Sequence, residues 1–248
     1  MITFLFVVWC WDKKKTKKKK KKMSSADSTL CAISYAQLLE VKDQAKNLYK
    51  DDYEEKTMRD VNEDIIKPIC QSTHKSYAAS KNPDGLKLNV FVSHSWDEPI
   101  GEFIDSIEEA FKHTLEKPTF WICAFSLLQG NFAEIQAQLG LSDTPLHESP
   151  FVRALKSADK YLVVRNRNTD LCERIWVICE FMYARKFNFI PSKTIIVGPN
   201  HFEHTTMSCL NAKSFNIEDK AKILKVLLNE HSYAEIDEFI ASIKKIMD

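Results

Sequence analysis

From Gly85 onward, short apolar runs alternate with longer stretches in which apolar residues recur every three or four positions. The runs LKLNVFV (86–92), TFWICAF (119–125), YLVV (161–164) and KTIIVG (193–198) read as strands. The stretches 99–114, 150–158, 170–187, 218–230 and 234–246 read as helices. In the first of these, Ile100, Phe103, Ile104, Ile107 and Phe111 fall on one stripe, the period of a helix lying on a core. Pro150 is well placed near the start of the second, where its missing N–H costs nothing. A fifth strand is expected near Met207–Leu210.

Strands separated by helices argue for a parallel sheet covered on both faces. The strand runs are apolar at nearly every position, as strands buried on both faces are. Right-handed crossovers then lead to a flavodoxin-like, doubly wound, five-stranded parallel sheet over residues 86–248. In such folds sites form beyond the carboxyl ends of the strands. Those ends here are Ser93–Glu98, Ser126–Gly130, Arg165–Asp170 and Gly198–Asn200.

Residues 29–85 read as an N-terminal helical extension docking on that domain. Leu38, Val41, Ala45 and Leu48 keep a helical period, as do Met58, Val61, Ile65 and Ile69, a run that meets Pro68. We read residues 30–72 as helical. Asn82-Pro83-Asp84-Gly85 is a turn signal that closes the segment. Residues 1–28 are set apart as a disordered Lys-rich tail or a mispredicted gene start, with Met23 as the initiator. Their apolar run precedes nine lysines at 13–22, the reverse of a secretory leader, and is too short to span a bilayer. The other reading of this segment is contact with anionic lipid.

Charge narrows the partners. The chain has 35 basic and 34 acidic residues; without the nine lysines and Asp12 these fall to 26 and 33, a net of −7. A nucleic-acid-binding domain shows the opposite balance, so no nucleic-acid partner is expected. No apolar stretch reaches the roughly 20 residues of a transmembrane helix. The seven cysteines are odd in number and irregularly spaced, which points to buried thiols in a reducing compartment; a soluble, cytoplasmic protein is expected. His201 and His204 form an HxxH without nearby partner ligands, and no metal is expected. With five glycines and no GxGxxG, GxxxxGK[ST] or GxSxG, ordinary dinucleotide, P-loop and hydrolase-elbow sites are set aside. A receiver-domain phosphoacceptor fails as well, because the third strand ends in VVRNRN without an aspartate.

Two segments stand out: VFVSHSWDEP (90–99), a strand running into a polar, aromatic loop, and 149–184, which runs helix, strand, loop, helix with Trp176 and Glu180 four apart in the last helix. Together they resemble the first strand and the central helix–strand–helix stretch of the Toll/interleukin-1 receptor (TIR) domain family, over about Leu86 to Gly198. The Trp and Glu match; the cysteine that follows the Trp in that family is Val177 here. The loop at 126–149 is longer than the family's. The flank at 57–85 is similar to one found in a branch of TIR-like proteins from single-celled eukaryotes.

The resemblance implies an NAD nucleosidase in which Glu180 is the catalytic carboxylate, NAD is the substrate and no cofactor is held. Nicotinamide leaves from a cationic ring and needs no proton, so one carboxylate suffices where ordinary glycosidases need two. A carboxylate against the ribose stabilises the oxocarbenium-like transition state. Trp176, Glu180 and Tyr183 share one helix face, and a carboxylate beside two aromatics at an apolar stripe is desolvated, which raises its pKa. The bland reading is a helix-anchoring contact of Glu180 with Arg153, Arg165 or Arg167. Ser93, His94, Trp96, Trp176 and Arg165 are the expected substrate-binding residues: Trp96 to stack on a base, Arg165 to meet phosphate. For each, packing or solvated-loop use is the alternative. Asp97 and Glu98 are expected to cap the helix that starts near Pro99. Trp121 and Cys123 look like core. The competing function is a non-catalytic signalling module that self-associates through the 126–149 loop and the 170–188 helix. A third reading, a nucleoside or nucleotide-sugar transferase, would need Asp97 or Glu98 as a second carboxylate.

Overall fold

The structure is a computed structural model that describes residues 27–139, 145–199 and 208–247. Its strands are β1 (Ile33–Ser34), β2 (Val90–Ser93), β3 (Thr119–Ile122), β4 (Lys160–Val164) and β5 (Thr194–Val197). Before β2 come α1 (Tyr35–Tyr49), α2 (Met58–Val61), α3 (Lys67–Thr73) and α4 (Tyr77–Lys81). Then follow α5 (Ile100–Phe111), α6 (Cys123–Ser126), α7 (Phe132–Leu139), α8 (Pro150–Ser157), α9 (Ile175–Lys186), α10 (Ile217–Leu227) and α11 (Tyr233–Met247). The protein is α/β, with one mostly parallel five-stranded sheet in the order β1-β3-β2-β4-β5. Among the described residues no helix is long and apolar enough to cross a membrane.

Strands β2, β3, β4 and β5 are parallel; β1 lies antiparallel to β3, with Ile33 opposite Phe120. This corrects the expectation of five parallel strands. The strand expected near Met207–Leu210 does not form at 208–210, and Met207 lies outside the described residues. Cys209–Asn211 is instead a 3-10 turn: the Ser208 side chain accepts from Leu210 N–H, and Cys209 N–H donates to Asp237 Oδ1 at 2.7 Å. Backbone groups engaged this way have nothing left for a sheet edge. The fifth strand comes from Ile33–Ser34, inside the stretch read as helical. Ser34 then opens α1 through a reciprocal cap with Gln37. The helical reading of the second run, Met58 to Ile69, holds through Pro68, which follows a π-helical turn at Asn62–Ile66 and stands in the first turn of α3.

Strands β2, β3 and β4 are buried on both faces, as their composition implied, whereas β5, at the edge of the sheet, is only half-buried. Phe91, Trp121, Tyr161 and Val163 point into a core shared with α8, α9, α10 and α11. Val90, Val92, Phe120, Ile122, Leu162 and Val164 point into a second core with α1, α5 and the helices before β2. Strand alternation therefore assigns Ser93, two residues after Phe91, to the α9 side. From β2 the chain steps out to β3, then crosses back to β4 on the other side of β2. The β2/β4 boundary is thus the place where the winding reverses, and a crevice opens there at the carboxyl ends in sheets of this kind. At the end of β5, Gly198 takes φ +81° and lies against the backbone of Arg165, so a side chain there would collide with that carbonyl.

Phe91 is fully buried, stacked on Trp121 at 4.9 Å between ring centroids and tilted against Tyr161 at 6.1 Å. Phe91→Ala is expected to cost about 3–5 kcal/mol, read as a lower urea midpoint at unchanged slope. A loss under about 1 kcal/mol would mean this ring does not anchor the sheet.

Candidate functional site

Helix α9 runs through the first core with nine of its residues buried, from Ile175 to Ala184. Glu180 is one of them, 7% exposed. A carboxylate so placed must have a polar partner, and it has one: the Ser93 hydroxyl at the carboxyl end of β2 donates to Glu180 Oε2. Burial pushes the Glu180 carboxyl up to about 7, against the opposing pull of Ser93, His94 and Arg174. The contact joins the last residue of the central strand to the middle of the helix after β4, at the β2/β4 boundary.

The next residue, His94, turns to the other face, where its ring lies 5.3 Å from that of Phe103 in α5. Its Nδ1 is 2.7 Å from Glu98 Oε1 and its Nε2 is 3.2 Å from Cys123 Sγ. Burial pulls the imidazole pKa down, but Cys123 and Glu98 outweigh it and hold His94 well above its ordinary value. Burial likewise pushes Glu98 up to about 7, with His94 pulling the other way. The carboxyl edge of the sheet thus carries two adjoining buried polar groups, Ser93–Glu180 and Glu98–His94–Cys123.

The other expected residues lie as follows. Trp96 is partly buried and packs at the junction of the two cores. Trp176 stacks on Phe151 at 4.6 Å, and its side chain holds the carboxylate of Asp219 together with Gln136 and Asn216. Tyr183 packs near Phe187. The helix face that Trp176, Glu180 and Tyr183 share therefore serves three different neighbours. Arg165 donates to the carbonyls of Gly198, at 2.6 Å, and of Met247. That use ties the end of β5 to the end of α11. Arg153 pairs with Asp27 at 2.9 Å, and Arg167 reaches the Glu54 carbonyl at 2.9 Å. The anchoring contact of Glu180 is thus Ser93. Neither acid caps α5: Pro99 is its N-cap without a side-chain bond, Glu98 is turned to His94, and Asp97 pairs with Arg59 at 2.9 Å and Arg174 at 3.4 Å.

Three participants escaped the sequence reading. Arg174, the N-cap of α9, is the arginine whose charge reaches Glu180. Tyr161 is fully buried with its hydroxyl close enough to feel both Glu180 and Ser93. Cys123, read as core and buried in it, also stands just past the carboxyl end of β3, because that strand stops at Ile122 where it was expected to run to Phe125. His201 and His204 lie outside the described residues. Part of the 126–149 loop does too, but its described parts hold α7 and a 3-10 turn at Leu146–Glu148, with Leu127, Leu139 and Leu146 buried in the first core. A separate open cleft of about 590 Å³ is lined by Glu54, Glu102, Asp105, Glu109, Arg167 and Gly198. It contains none of the residues chosen for substrate binding, and its acidic walls repel phosphate.

Comparisons of the chain with protein-family models, with curated proteins and with solved structures find no match.

The raised Glu180 pKa has a consequence for stability. The unfolded chain releases this proton near 4.5, the folded chain near 7. The folded state binds the proton more tightly, so this contribution is full below pH 4.5 and is lost as pH rises through 7. Glu180→Gln stays neutral throughout. Between pH 4.5 and pH 8, urea titrations should show the stability of Glu180→Gln relative to the parent shifting in the variant's favour by up to about 3 kcal/mol. No shift between the two pH values would show that Glu180 titrates normally.

Proposed function

We propose that this chain is a TIR-like NAD nucleosidase on a flavodoxin-like fold, cleaving the nicotinamide–ribose bond with Glu180 and serving a signalling role in the cytoplasm. The observation that carries the reading is the buried Glu180 carboxyl, poised near neutrality and held by Ser93 where the sheet's winding reverses. A cationic nicotinamide ring brought beside it favours the ionised form by direct attraction. The carboxylate then faces the positive charge that develops on the ribose as neutral nicotinamide departs. Water adds to the ribose carbon, and its proton passes to Glu180 acting as base. Ser93 keeps the carboxylate aimed, and Arg174 supplies a standing positive charge.

Because Glu180 is 7% exposed, ribose reaches it only after the covering side chains shift. The resemblance supplies a reason for such a shift, since active members of the family complete their pocket by clustering. Self-association is therefore part of the proposal. Helix α9 is almost wholly buried, which leaves little of it as a contact surface. A better one is the start of α10, where Leu210, Phe215 and Ile217 are exposed by 48%, 85% and 74%. The same patch favours the second reading, a non-catalytic assembly module.

The deciding assay is NAD consumption by residues 23–248 at high protein concentration, with Glu180→Ala alongside and its fold checked by circular dichroism. Turnover is expected in the parent and a fall of at least a hundredfold in the variant. Equal background in both, with assembly retained, would replace the hydrolase reading by the interaction module.

A further inference from the structure

We propose that Cys123 is a reactive thiol, a modification site for small electrophiles and hydroperoxides, with His94 as its base and Glu98 orienting that base. A sulfur nucleophile is activated when an imidazole nitrogen lies within hydrogen-bond reach and the other nitrogen is fixed by an acid. Here Cys123 Sγ is 3.2 Å from His94 Nε2, and His94 Nδ1 is 2.7 Å from Glu98 Oε1. The Glu98 carboxylate is itself placed, since its Oε2 lies 3.4 Å from Ser95 N–H, and Phe103 supports the imidazole ring. The segment that presents Cys123 is fixed as well: its carbonyl accepts from Gln129 Nε2 at 3.2 Å.

The other described cysteines give the contrast. Cys31, Cys70, Cys172, Cys179 and Cys209 are also buried, and burial pushes every one of their thiols up. That environment keeps a thiol protonated and inert. Among the described cysteines, Cys123 is the one hydrogen-bonded to an imidazole, and its presence helps hold His94 in the charged form. Cys123 retains 8% exposure, against 5% for Cys31 and 0–1% for Cys70, Cys172, Cys179 and Cys209.

The chemistry balances with named reagents. With an alkyl halide, the thiolate sulfur, whose proton His94 already holds, forms a bond to carbon as the carbon–halogen bond breaks and halide leaves. With a hydroperoxide, the sulfur forms a bond to the terminal oxygen as the O–O bond breaks. The leaving alkoxide or hydroxide takes the proton from charged His94, the cysteine is oxidised to a sulfenic acid and the peroxide is reduced to alcohol or water. None of this depends on Glu180 or NAD, so failure of the nucleosidase reading leaves it standing.

The test uses the full chain under native conditions. Iodoacetamide is added and the modification rate of each cysteine is followed by peptide mass spectrometry, with hydrogen peroxide and dimedone as a parallel probe of sulfenic acid. Cys123 is expected to react at least fivefold faster than Cys31, Cys70, Cys172, Cys179 and Cys209 in the same sample. In folded His94→Asn or Glu98→Gln its rate is expected to drop at least fivefold, while the other five stay unchanged. An advantage below fivefold in the parent overturns the proposal. So does a Cys123 rate that survives loss of His94 in a folded variant, which would reduce the effect to exposure alone. Should His94→Asn fail to fold, the comparison within the parent and the Glu98→Gln copy decide it.

Discussion

Burial of strand β2 on both faces is the constraint from which the rest follows. Val90 and Val92 are enclosed by one core and Phe91 by the other, and its neighbours β3 and β4 are parallel to it. A parallel strand enclosed in this way needs helices above and below, because its hydrogen-bonding partners come by crossover and not by hairpin. Each fully buried Val or Phe side chain contributes roughly 1.5–3 kcal/mol of transfer free energy. The buried apolar residues of β2, β3 and β4 together fix the register. A slip of one position would move Phe91 and Trp121 into the wrong core.

The same enclosure makes the carboxyl end of the sheet chemically unusual. Where β2 ends, the backbone continues as Ser93-His94-Ser95, and the alternation that sorted apolar residues now sorts polar ones. Ser93 faces α9 and meets Glu180; His94 faces α5 and meets Glu98. Both carboxyls are pushed up to about 7 by burial. A protein retaining two such groups in its interior gives up stability above neutral pH at each of them. That cost is the physical reason to look for chemistry here, since perturbed titrations of this kind cluster at functional sites.

Much of this was legible in the residues. The runs at 86–92, 119–125, 161–164 and 193–198 are apolar enough to be strands, and the helical stripe from Ile100 to Phe111 leaves no other assignment. Glu180 was identifiable as desolvated because Trp176 and Tyr183 share its helix face at an apolar stripe. Three things were hidden. Ile33–Ser34 is too short to show a period, so its strand pairing with β3 had no signature. The turn at Cys209–Asn211 depends on a contact with Asp237, nearly thirty residues away. Arg165 has the same side chain whether it meets a phosphate or a carbonyl, and the position of α11, which decides the matter, is a tertiary fact. Contacts set by distant elements override local pattern, and the carboxyl edge of this sheet is made of such contacts.

Glu180 is a buried, Ser93-held carboxyl whose pKa is pushed up to about 7. Carboxyl carbon NMR of the protein labelled at glutamate, titrated from pH 4 to 9, tests it directly, with the resonance assigned by its absence in Glu180→Gln. A midpoint near 7, falling in the presence of a nicotinamide-ring cation, is the predicted result. A midpoint near 4.5, unmoved by that cation, would contradict the account at its foundation.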